Sequence, residues 1–233
     1  MTTTGTTAIN FNLIDIIEEA WERAGKEMRT GYDMKTARRS LNLLTMEWSN
    51  RGINLWTIEQ GTIALVSGTA TYDLPIDTVD IIEHVVRSGT GTTQQDVNVE
   101  RISVSTFAHI PTKSQTGARP NQLWVNRLTG ATEAGGVTFP TVTVWPVPDN
   151  SDHTLVYWRM RRMQDVGSGI ETQDIPYRFM PAMIAGLAFH LAVKSPDLYA
   201  RVPMLKQMYD DAWADAADED RDRADFRITP RVG

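Results

Sequence analysis

From Asp33 to Trp56 the chain reads DMKTARRSLNLLTMEWSNRGINLW, and this stretch constrains the fold more than any other. Ala37, Leu41, Leu44, Thr45 and Trp48 fall at i, i+4, i+7, i+8 and i+11, which is one stripe of an α-helix. Asp33 suits the N-cap, because its carboxylate accepts from the free amides of a first turn. Gly52 suits the position just past the C-terminus, where a left-handed conformation lets the last carbonyls be satisfied. The spacing therefore predicts a helix from about Met34 to about Arg51. Lys35, Arg38, Arg39, Asn42 and Glu47 lie off the stripe, so one side needs partner helices and the other faces solvent or a neighbouring subunit.

The partners come from the two ends of the chain. Asn12 can cap a helix from Leu13 to Ala24 with Leu13, Ile17, Ala20, Trp21 and Ala24 on one face and Gly25 at its end. Beyond residue 174, Met180, Met183, Ile184, Leu187, Ala188 and Leu191 mark a largely buried helix to about Lys194. Leu205, Tyr209, Ala212, Trp213 and Ala216 mark another from about Pro203 to Arg223. Between these pairs the period drops from 3.6 to 2. Strands are expected near Ile53–Glu59, Gly61–Val66, Thr71–Leu74, Ile81–Arg87, Gln122–Asn126, Thr141–Trp145 and Thr154–Met163. Ser67-Gly68-Thr69-Ala70 reads as a hairpin turn, Ser103 to Ile110 as a turn or two of helix, and 112–120 and 128–140 as surface loops. The expected class is α+β: a four-helix bundle from the N- and C-terminal helix pairs (13–52 and 170–225) with an inserted antiparallel β-domain (53–169), a small sandwich or barrel. A Thr-rich flexible arm (1–12) and a short tail (226–233) flank it.

Catalytic chemistry leaves little trace here. Among 233 residues there is no cysteine, which removes disulfides and thiolate sites and points to assembly in a reducing cytosol. His84, His109, His153 and His190 show no metal-ligand spacing, and His190 reads as a core or interface histidine. Glycine clusters at 88–91, 130–136 and 167–169 lack a P-loop lysine and a strand–loop–helix setting. No nucleophile elbow occurs. No catalytic, metal or cofactor residues are therefore expected, and the chain reads as a non-enzyme. The first residues carry no basic and apolar leader, and the longest apolar run, 180–193, is too short to span a bilayer. No membrane contact is expected. A net charge of −6 argues against a dedicated nucleic-acid binder.

Three surface features remain. Tyr157, Trp158, Arg159, Arg161 and Arg162 resemble a basic aromatic strip, but strand alternation splits them between two faces, favouring subunit or surface contacts over nucleic acid. The run from Asp210 to Asp225 puts acids on the outer face of the last helix. Asp211, Asp215, Asp218 and Asp222 would repel DNA phosphate if many copies turned that face inward around a channel. The tail Phe226, Arg227, Ile228, Thr229, Pro230, Arg231 is basic and apolar, suited to docking into another protein. A different reading makes Trp124, Trp145 and Trp158 a stacking platform for a carbohydrate or other ligand.

The order of pieces carries a resemblance: an early helix, then ARRSLNLLTMEWSNRGINLWTIEQGTIAL, ALVSGTATYDLPID, IIEHVVR, GARPNQLWV, VTVWPVPD with TLVYWRMR, DIPYRFMPAMIAGLAFHLA, and an acidic, alanine-rich final helix. It resembles the head-to-tail adaptors of tailed phages, of the tail tubular protein A and packaged-DNA stabilisation type, over roughly Leu13 to Arg223. The resemblance implies a helical domain carrying a β-domain, with about twelve copies in a ring below the portal protein. It further implies that the ring extends the DNA channel, retains the packaged genome, passes double-stranded DNA without sequence-specific binding and presents a surface to the next tail component. The location implied is the neck of the virion, after assembly in the host cytoplasm. A tail-completion or tail-tube-end protein is the related alternative. Relatively short β-domain loops distinguish this chain from some adaptors of that kind.

Overall fold

The computed structural model describes residues 5, 11–29, 31–51, 55–128, 132–133, 136–167 and 171–220. The chain divides into two compact units, one made of residues 1–56 and 163–233 and the other of residues 57–162.

The first unit is helical. Helix α1 spans Leu13–Ala24, opened by a reciprocal cap: the Asn12 side chain accepts from the Asp15 N–H, and the Asp15 carboxylate accepts from the Asn12 N–H. Helix α2 spans Gly31–Arg51. It starts two residues before the expected cap, so Asp33 lies inside the first turn, where its carboxylate accepts from the Arg29 N–H at 3.2 Å. Gly52, expected to end the helix, falls outside the described residues. Helix α3, Val104–His109, belongs to the second unit and is the short helix expected over Ser103 to Ile110; Ser103 caps it, accepting from the Thr106 N–H. Helix α4 spans Met180–Lys194 and α5 spans Val202–Glu219. Helix α5 ends at Glu219 with Asp220 as its C-cap, short of the expected Arg223, and residues 221–233 lie outside the described residues.

Helix α4 contacts each of α1, α2 and α5, which is why it is apolar nearly all round. Ala182, Met183, Leu187, Ala188, Leu191 and Ala192 on α4 are inaccessible to solvent. They pack with Leu13, Ile16, Ile17 and Ala20 of α1, Ala37, Leu41, Leu44 and Trp48 of α2, and Leu205, Tyr209, Trp213 and Ala216 of α5. The stripes read from the sequence are the faces that meet here.

The second unit is a β-sandwich rather than a barrel. Its strands are β1 (Ile58–Ala64), β2 (Thr71–Asp73), β3 (Thr78–Ser88), β4 (Gln95–Asn98), β5 (Glu100–Arg101), β6 (Thr116–Gly117), β7 (Gln122–Asn126), β8 (Thr132–Glu133), β9 (Gly136–Val137), β10 (Thr141–Trp145), β11 (Val147–Pro148) and β12 (His153–Arg161). One four-stranded sheet has the order β1-β12-β3-β4 and the other β2-β10-β7-β5. All pairs within them are antiparallel except β5–β7. Ile81, Val86, Leu155 and Tyr157 of the first sheet meet Leu123, Val125, Val142 and Val144 of the second in one core.

Two expectations are corrected. The separate strands at Ile53–Glu59 and Gly61–Val66 are one strand, β1, preceded by a 3-10 turn at Leu55–Thr57. Gly61 is no break: it pairs with Tyr157, whose ring occupies the space where a Cβ would stand, 2.4 Å from the Tyr157 Cζ. The turn at Ser67–Ala70 is real, with the Thr69 N–H donating to the Val66 carbonyl at 3.0 Å, but it makes no hairpin. It carries the chain from β1 to β2, which lie in different sheets. The expected loops at 112–120 and 128–140 also contain short paired segments, β6 with β11 and β8 with β9.

Candidate functional site

Helix α5 holds the most distinctive surface that the sequence singles out. Leu205, Tyr209, Trp213 and Ala216 recur at helical spacing and face the core. That fixes the orientation of the remainder, and Asp211, Asp215 and Asp218 project into solvent. Met204 and Met208, both exposed, continue the same outer face toward the N-terminal end of the helix. The outer stripe thus runs from apolar to acidic along α5. Asp222 lies outside the described residues, as do Phe226, Arg227, Ile228, Pro230 and Arg231.

The acidic run is not uniformly solvated. The Asp220 side chain is fully buried and paired with the Arg178 guanidinium, a contact that the spacing of acids gives no means of finding. Arg178 follows Pro176 on the segment leading into α4, so this ion pair ties the end of α5 to that segment.

Beneath the acidic stripe the core holds a polar cluster. The Trp48 Nε1–H donates to the Tyr209 hydroxyl at 2.8 Å, and that hydroxyl donates to the Glu47 carboxylate at 3.3 Å. Burial pushes the Tyr209 pKa up to about 12, so the phenol stays protonated. His190 Nε2 approaches the same carboxylate at 3.6 Å, and burial lowers its pKa despite the pull of Glu47. The aromatic rings of Trp48, Phe179 and Trp213 close the cluster, with centroids 4.8–5.8 Å apart. His190 is thus half-buried where α4 meets α2, close to Glu47 but without a hydrogen bond to its Nε2.

The face of α2 opposite the stripe turns out to be partly internal. Arg38 donates to the Gly167 carbonyl, Asn42 accepts from the Val166 N–H at 3.1 Å, and Glu47 belongs to the cluster above. Lys35, Arg39, Leu43 and Met46 form its exposed side.

In the β-sandwich, the basic aromatic strip does not form a surface. Arg159, 8% exposed, donates to Asp77, Thr78 and Glu59, and Arg161 pairs with the same Glu59 at 2.6 Å. A guanidinium spent on carboxylates within its own sheet is not free to bind phosphate. This corrects the expectation of subunit or surface contacts at Arg159. The tryptophan platform also fails to assemble. Trp124 and Trp145 share the outer face of the second sheet with Thr143, while Trp158 pairs with Gln60 and Glu83 on the outer face of the first. Trp124 stacks on Phe107 at 4.8 Å, and the Trp145 Nε1–H donates to the Thr112 carbonyl at 3.1 Å. Two opposite outer faces of one sandwich cannot stack on a single sugar.

Among the described residues no group of three or more His, Cys, Asp or Glu is arranged to hold a metal ion, and no helix is long and apolar enough to cross a membrane. No curated protein matches the chain. One family model does, that of the SU10 adaptor protein, and it matches residues 11–231, which takes in both the helical unit and the sandwich. The chain therefore belongs to the SU10 adaptor protein family and is a structural adaptor of a bacteriophage virion.

Proposed function

We propose that this chain forms a head-to-tail connector: a ring of about twelve copies that docks below the portal, extends the DNA channel, helps retain the packaged genome and offers the attachment surface for the tail. The observation that carries the reading is the exposed acidic stripe of Asp211, Asp215 and Asp218, held outward by the buried Tyr209 and Trp213 on the opposite side of α5, in a chain of the adaptor family. Twelve copies of a chain with net charge −6 carry roughly −72, a field that repels DNA phosphate and favours passage over binding. In this reading Asp222 continues the stripe, the ring assembles in the host cytoplasm, and the virion neck is its final position.

Phe226, Arg227, Ile228, Pro230 and Arg231 form the portal-docking tail in this proposal. They offer both apolar and cationic anchors in a segment short enough to order on its partner. The helical domain (13–52 and 170–225) and the β-domain (53–169) then divide the two attachment surfaces between them, with the 1–12 arm ordering on assembly.

The test is to mix the full chain with the portal protein encoded beside it and to determine mass and appearance by electron microscopy. A stacked ring of defined stoichiometry is expected. Deleting residues 226–233 is expected to abolish portal attachment while leaving the circular dichroism spectrum and melting temperature unchanged. Undiminished attachment would remove the tail from the mechanism, and capping of isolated tail tubes without portal binding would make the chain a tail-completion protein.

A further inference from the structure

The helical unit carries a pocket apart from the acidic stripe of α5. It is a cavity of about 500 Å³ lined by Trp21, Lys26, Tyr32, Asp33, Thr36, Arg39, Leu43, Lys194 and Ser195. Four elements meet there: the end of α1, the connection after it, the first turns of α2 and the end of α4. Three cations, Lys26, Arg39 and Lys194, face one carboxylate, Asp33, and that carboxylate is engaged by the Arg29 N–H at 3.2 Å. Among the described residues no ion pair neutralises Lys26, Arg39 or Lys194. Lys26 lies over the Trp21 ring at 5.7 Å, and Lys194 donates to the buried Ser40 hydroxyl.

The chemistry of the wall is that of a donor set lacking its acceptor. Tyr32, Thr36 and Ser195, each with a hydroxyl, line the same pocket as the cations. The Trp21 ring lies in the wall while its Nε1–H is buried behind it, so its resonance reports on the pocket without contributing to it. Partial burial and then the charge of Arg39 lower the Lys194 pKa, so the two cations repel each other across the site. An arginine brought beside a lysine in a chain of net charge −6, which has acids to spare elsewhere, marks a place where negative charge is absent and wanted.

We propose that this pocket binds a dianionic phosphate group, held by the Arg39 guanidinium and the Lys194 and Lys26 ammonium groups, with the hydroxyls of Tyr32, Thr36 and Ser195 completing its shell. Three positive charges against one negative leave a balance of two. That matches the phosphate dianion, the main form of inorganic phosphate in mildly alkaline solution, better than a carboxylate or a DNA phosphodiester, each of which carries a single charge. Arg39 supplies the planar fork for two of the oxygens, and the ammonium groups act as point charges on the others. The test of this site uses the chain alone and does not involve the portal.

The experiment titrates inorganic phosphate into the full chain at constant ionic strength and follows the Trp21 indole N–H resonance, assigned by comparison with Trp21→Phe. A saturable shift is expected with phosphate and none with chloride at the same ionic strength. The melting temperature is expected to rise with phosphate in parallel. Arg39→Met, at an exposed position, is expected to weaken the apparent affinity by about tenfold or more, with the spectrum of the remaining chain unchanged. An equal response to chloride, or full affinity in Arg39→Met, would overturn the proposal. A short DNA duplex run in parallel separates the sources: a shift with duplex but not with inorganic phosphate would make the pocket a contact for passing DNA and overturn the dianion assignment.

Discussion

At the residue scale, Trp48 shows how a core position acquires several duties at once. It is fully buried, its ring lies 4.8 Å from Trp213 and 5.8 Å from Phe179, and its N–H donates to Tyr209. Trp48→Ala opens a cavity and strands the Tyr209 hydroxyl on that side, so a loss of about 3–5 kcal/mol is expected, read as a lower urea midpoint. The histidines set a pH dependence. Burial lowers His190 and His84 below their ordinary pKa of 6.5, in His84 against the raising effect of its bond to the Val99 carbonyl at 2.9 Å. The unfolded chain then binds protons more readily than the folded one, so stability is complete above about pH 6.5 and declines as the pH falls below it. Urea midpoints measured from about pH 8 down to about pH 5 are expected to show that decline, and His190→Gln to flatten part of it. A midpoint that rises on acidification would refute the assignment.

Elements carry a second kind of constraint, and Gly186 in the middle of α4 illustrates it. A Cβ there would stand 2.9 Å from the Tyr209 ring of α5 and 3.0 Å from a Leu44 methyl of α2. The missing side chain is what lets three helices close on one another. Gly186→Ala gains up to about 1 kcal/mol of helix propensity, but the crowding costs about 1–3 kcal/mol because neither neighbour is free to retreat from a packed core. The variant is expected to be less stable than the parent in urea, and Gly186→Val less stable again. Strand elements depend on the same kind of close approach: Gly61, expected at the start of a strand, lies inside β1 and is the position that lets Tyr157 lie across it.

For the whole molecule, the separation of buried from exposed acids matters most. Asp211, Asp215 and Asp218 can be neutralised without touching the core, whereas Asp220 cannot, since it is buried against Arg178. The triple variant Asp211→Asn, Asp215→Asn, Asp218→Asn is expected to fold and assemble as the parent does. In a phage carrying it, the rate of DNA release is expected to fall, because the proposed channel loses about half of the net charge of each chain, three of six. Unchanged release, measured by dye uptake of the ejected DNA, would place the stripe outside the channel.

What the sequence by itself determined is the set of faces. The stripes of α1, α2, α4 and α5, the change of period at the β unit and the capping of α1 by Asn12 are local, since helix and strand spacing decide which side chains lie together before any tertiary contact forms. The outward placement of Asp211, Asp215 and Asp218 followed from the same spacing. Only the tertiary structure decided the pairings: that Ser67–Ala70 links two sheets rather than two neighbouring strands, that Arg159 is consumed by Glu59 and Asp77, that Asp220 is buried against Arg178, and that Trp158 lies on a different sheet from Trp124 and Trp145. Each joins residues far apart in the chain, and an ion pair or a sheet order of that kind leaves no periodic signal. The pocket around Arg39 and Lys194 belongs with them, because the charges that define it come from helices that meet only when the core closes.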